Sequence, residues 1–78
     1  MKELFKQAVL AGRFEDAYPL FCSMDFLVAS GILVGLTARD ANQRPLHFVE
    51  YLTQRQDSRR MRQLYSALAQ GCYKQGVS

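Results

Sequence analysis

Residues 32–53, ILVGLTARDANQRPLHFVEYLT, constrain the fold more than any other part of the chain. They hold the densest β-type sequence, the only His and one of the two Pro. Ile32, Val34, Leu36 and Ala38 alternate with Leu33, Gly35, Thr37 and Arg39. Further on, Leu46, Phe48, Glu50 and Leu52 alternate with His47, Val49, Tyr51 and Thr53. Two such runs around a polar cluster read as strand, turn and strand. The cluster is Asp40-Ala41-Asn42-Gln43-Arg44-Pro45. Asp and Asn fold a chain by bonding their own backbone and tolerate left-handed φ. Pro45 has no N–H to donate and suits a strand start or edge, while Gly35 marks a bulge site. The expectation is a central β-hairpin. A helical reading competes, with Pro45 opening a helix that carries Leu46, Val49 and Leu52. Residues 26–36 would form another helix, with Ser23 as N-cap. Period alone does not decide such short apolar runs.

The flanks read as helices. Residues 2–11 place Leu4, Phe5, Ala8 and Val9 on one face, and Gly12 suits a left-handed stop. A second helix opens near Arg13 or Phe14, with an apolar stripe of Phe14, Ala17, Tyr18 and Phe21. Glu15 and Asp16 complement its dipole. Pro19 falls late for a first turn and predicts a restart or kink. Ser23 then caps a short extension over 25–29, and Gly31 stops it before the hairpin. Asp57 or Ser58 caps the last helix, which runs to about Tyr73. There Met61, Leu64, Tyr65, Leu68 and Cys72 recur every three or four residues. Residues 75–78 are expected to be a disordered tail.

The expected fold is therefore α+β, one small domain over 1–78, ordered α-α-β-β-α, with an amphipathic C-terminal helix. The alternative is an all-α bundle of four to five short helices. A chain of 78 residues buries only about three-fifths of its unfolded surface, so it folds near the margin. No apolar run reaches the roughly 20 residues that span a bilayer. The sequence Met1-Lys2-Glu3-Leu4 lacks the apolar core of a signal peptide, which predicts a cytoplasmic protein.

Arg39-Asp40-Ala41-Asn42-Gln43-Arg44-Pro45-Leu46-His47 resembles the loop and helix start of an ankyrin repeat, and residues 4–13 resemble an ankyrin helix with its turn. Gln43 stands where that pattern has Gly, the Thr of its Thr-Pro-Leu-His is missing, and Val49 replaces its Ala. The two pieces are spaced too far apart for a 33-residue repeat. The likeness covers about a quarter of the chain and would imply a protein-binding module.

Catalytic and metal patterns are sparse. His47 is the only His, so no Ser-His-acid or Cys-His order can be argued. One His and two distant cysteines, Cys22 and Cys72, make no usual zinc set. Both cysteines read as buried thiols on apolar helix faces. No phosphate-binding glycine loop is present, and Gly31-x-x-x-Gly35 suggests helix packing only within a membrane span. No enzyme, cofactor or metal is expected.

Charge is the one feature above background. Residues 1–38 carry three bases and four acids, for −1, and residues 39–78 carry seven bases and three acids, for +4. Arg55, Arg59, Arg60 and Arg62 lie within eight residues, and Arg39 and Arg44 flank the expected hairpin tip. Arg is favoured where planar contacts to carboxylate or phosphate matter. At 100° per residue, Arg55, Arg59 and Arg62 would share one helix face. The expected function is a small non-enzymatic module that docks on an acidic surface of a larger protein as adaptor or inhibitor. Its expected binding residues are Arg39, Asn42, Arg44, Arg55, Arg59, Arg60 and Arg62. A short basic domain of this kind is typical of phages and other mobile elements. The alternative is a nucleic-acid binder using the same arginines on phosphates, and an unpaired strand edge would favour a homodimer.

Overall fold

The computed structural model describes residues 2–39, 43–56 and 58–77, with 71–77 described in backbone only. It consists of five helices: α1 (Lys2–Leu10), α2 (Phe14–Ser23), α3 (Phe26–Thr37), α4 (Arg44–Arg55) and α5 (Arg59–Val77). The described residues contain no strand. This overturns the α+β expectation and its hairpin. The all-α alternative stands in its place, with five helices.

Capping and packing explain the reversal. Asp25 precedes the first apolar run, and its Oδ1 accepts a hydrogen bond from the Leu27 N–H at 2.9 Å. That is an N-cap, one residue pair later than the Ser23 expected for it. Pro45 lies buried in the first turn of α4, where a missing N–H does no harm. Within α4, Pro45, Leu46, Phe48, Val49 and Leu52 are buried. That is a helical stripe, and no single face of a strand carries those positions. In α3 the buried set is Ala29, Leu33, Leu36 and Thr37, again at helical spacing. β-Branched residues tip toward strand only when the packing rewards a pleated surface. The hydroxyls of Ser30 and Thr37 donate to the carbonyls four residues back, at 2.7 and 2.9 Å, so they sit inside the helix without unmet polar groups. Gly31, expected as a stop, is a mid-helix residue.

The flanking readings fare better. The Arg13 N–H bonds to the Ala8 carbonyl and the Gly12 N–H to the Val9 carbonyl, with Gly12 at φ +78°. This is a Schellman stop, and the positive φ is why glycine suits it. α2 runs through Pro19 without a restart, and the Ser23 hydroxyl donates to the Pro19 carbonyl at 2.7 Å. Ser58 Oγ accepts from the Met61 N–H at 3.3 Å and opens α5. The backbone of α5 continues past Tyr73 to Val77. Asp57 and the side chain of Cys72 lie outside the described residues.

The core is built around Phe48, which is fully buried. Its ring meets Phe5 and Phe21 edge-on at 5.7 and 6.1 Å, tilts against Phe14 at 5.5 Å and stacks on Tyr51 at 6.1 Å. These are the offset and edge geometries that ring quadrupoles favour. Through this one side chain α1, α2 and α4 are tied together. Leu33 and Leu36 from α3 and Met61, Leu64 and Leu68 from α5 belong to the same buried cluster. Among the described residues, no helix is long and apolar enough to cross a membrane.

Candidate functional site

The arginines do not share one helix. α4 ends at Arg55, and Gln56 leaves the helical region at φ −141°, ψ 85°, so Arg55 and Arg59 belong to different helices. The expected common face of Arg55, Arg59 and Arg62 assumed one helix through all three. The Arg55 guanidinium lies over Tyr51 at 4.6 Å and Tyr18 at 5.5 Å. Arg60 lies over Phe26, at the start of α3, at 4.2 Å. Both are cation–π contacts on exposed side chains. Arg44 is half-buried and donates to the Leu10 carbonyl, a group that the end of α1 leaves without a helical partner. Arg59 and Arg62 line a shallow groove of about 380 Å³ along the outside of α5, with Gln63 and Ser66.

Arg62 also borders a wider groove of about 610 Å³ between α4 and α5. Across it, the Tyr65 hydroxyl donates to Glu50 Oε1 at 3.2 Å. That hydrogen bond, then the Glu50 charge, raises the Tyr65 pKa above its usual value of 10.0. His47 and Cys22 are exposed, against the expectation of a buried Cys22 thiol. Asn42 lies outside the described residues. Among the described residues, no three His, Cys, Asp or Glu side chains come together as a metal-holding group.

A second surface was missed by the sequence reading. α3 is apolar on every side. Its inner face is buried, yet Leu27 is 78% exposed, Val34 51% and Val28 39%. Gly31 and Gly35 lie between them and are exposed. A Cβ added at either glycine would have nothing within 4 Å, so the backbone of α3 is open there. Alongside runs a groove of about 380 Å³ between α1 and α3, bordered by Lys2, Lys6 and Arg39. Of the arginines expected to bind a partner, the structure brings Arg39 to this groove, beside two lysines that the sequence did not single out. The signal was present. Residues 26–37, FLVASGILVGLT, hold no charge, and a helix without a polar face is normally covered all round.

Comparison with protein-family models, curated proteins and solved structures gives no match for this chain. Of the ankyrin-like stretch, Arg44-Pro45-Leu46-His47 form the first turn of α4.

Proposed function

We propose that the chain is a non-enzymatic protein-interaction module that docks on a larger protein with an acidic surface, as an adaptor or inhibitor in the cytoplasm. The observation that carries this reading is the outer face of α3. Leu27, Val28 and Val34 form an exposed apolar strip on a helix with no polar side, while all five helices send apolar residues into the buried core. Contiguous exposed apolar surface with a polar rim is a mark of binding sites. The rim here is cationic. Arg39 follows the C-terminal end of α3, and Lys2 and Lys6 border it from α1. Charges at a rim steer encounter and select partners more than they add affinity.

The nucleic-acid alternative draws support from the exposed Arg59 and Arg62 on α5. Weighing against it, Arg44, Arg55 and Arg60 are each engaged with groups of this chain. The test is a nuclease-treated pull-down with the wild-type chain, a Leu27→Glu/Val34→Glu variant and an Arg55→Ala/Arg59→Ala/Arg62→Ala variant, with folding checked by circular dichroism. An acidic protein retained by wild type and lost with the α3 variant is the expected result. Loss only in the arginine variant would contradict the assignment to α3. Recovery of nucleic acid alone, abolished by nuclease, would replace the reading with phosphate binding.

A further inference from the structure

The geometry points to a particular occupant: the groove between α1 and α3 takes an amphipathic acidic helix from the partner, lying against Gly31 and Gly35 with its carboxylates on Lys2, Lys6 and Arg39. This rests on the docking reading above and specifies what docks.

The shape argument comes from the glycines. They stand one turn apart, so both face the same way, and neither has a neighbour within 4 Å of where a Cβ would sit. Among the described residues nothing therefore requires glycine there. In a helix interior each is destabilising relative to alanine. A close approach by another backbone does require small residues, and paired small residues four apart are how two helices come into close contact. Val28 lines the groove beside them, and Leu27 and Val34 stand exposed along the same helix. α3 is twelve residues long, about 18 Å of helix, enough to hold three turns of a partner. Helix-in-groove docking uses such an arrangement, with anchors at i, i+3, i+4 and i+7.

The charge argument selects the sign. Lys2, Lys6 and Arg39 border the groove, and among the described residues no acidic side chain lines it. Lys6 makes an exposed pair with Glu3 at 3.4 Å, which solvent largely screens. A second copy meeting this groove with its own would bring the same three cations to the same rim, and like charges facing one another oppose that arrangement. A flat lipid surface would meet Leu27 and Val34 but leave the glycine floor of a concave groove unfilled.

The test is selection of binders from a displayed library of helical peptides, followed by fluorescence anisotropy with the enriched peptides as probes. Enrichment of peptides with one apolar stripe flanked by Glu and Asp is expected, with binding that weakens as salt rises. Two variants locate the site. Lys2→Glu/Lys6→Glu/Arg39→Glu and Gly31→Ala/Gly35→Ala should each weaken binding about tenfold or more. The second of these should melt no lower than wild type, which separates loss of the site from loss of the fold. Enrichment of basic or non-amphipathic peptides, or unchanged binding by both variants, would overturn the inference. So would dimer mass by light scattering lost on Gly31→Ala/Gly35→Ala, or binding to phosphatidylserine vesicles in place of any peptide. If no peptide is enriched while the pull-down still depends on Leu27 and Val34, the helix in the groove is wrong and the docking reading stands.

Discussion

Replacing Gly31 and Gly35 together by alanine should make the isolated chain more stable. Both residues lie in the interior of α3 with ordinary helical backbone, since Gly12 is the one glycine with positive φ among those described. Alanine is favoured over glycine in a helix interior by about 0.5–1 kcal/mol, because glycine loses more backbone freedom on folding. The added methyl groups would meet nothing within 4 Å, so no overpacking offsets the gain. Two positions give about 1–2 kcal/mol if they act independently. For a domain of this size each kcal/mol moves the melting temperature by about 4–8 °C. Thermal melts followed by circular dichroism, with urea titration to check that the slope is unchanged, read this directly. A melting temperature that falls would mean that something already packs on those glycines in the free protein. The open face of α3, and the docking site built on it, would then be refuted.

Other expectations follow from single contacts. Phe48→Ala removes the ring shared by α1, α2 and α4. It should cost about 3–5 kcal/mol, leaving a chain this short largely unfolded by urea denaturation at room temperature. Asp25→Ala loses the cap of α3 and should cost about 1 kcal/mol, seen as a lower urea midpoint. Gln43 holds φ 60° at the head of α4, at the position where the ankyrin pattern has Gly. Gln43→Gly should add about 1 kcal/mol of stability, seen as a higher urea midpoint. The Tyr65 phenol should ionise above pH 10.0, and Glu50→Gln should bring it back toward that value. The neutral phenol is the form favoured in the fold, so this contribution to stability is complete below pH 10.0 and is lost as pH rises through the folded pKa. Difference absorbance titration against Tyr65→Phe measures it.

The ends of the chain were more legible than its middle. Gly12 and the start of the last helix could be read from local chemistry: a left-handed stop and a Ser N-cap act within a few residues and do not depend on what packs above them. Residues 32–53 could not be read that way. Their β-branched and aromatic content points to strand, while the buried positions Leu33, Leu36, Leu46, Val49 and Leu52 keep helical spacing. Which pattern wins is decided by Phe48 meeting rings from α1 and α2, a long-range event. Asp25 and Pro45 were the local clues. Each is a helix-start residue, and together they frame α3 and α4. The arginine face failed for a related reason. The break at Gln56 divides Arg55 from Arg59, and a 100° wheel has no meaning across it. Gly31 and Gly35, which the sequence offers as a stop and a bulge site, are both mid-helix residues of α3.

The docking account is tested most directly by an NMR titration of the isotope-labelled chain with the acidic helical peptide enriched above. The account predicts that amide signals of Lys2, Lys6, Val28, Gly31 and Gly35 shift together and saturate on one binding curve. Shifts confined to Arg59, Arg62 and Ser66, with α3 unmoved, would contradict it and place the partner on the outer groove of α5.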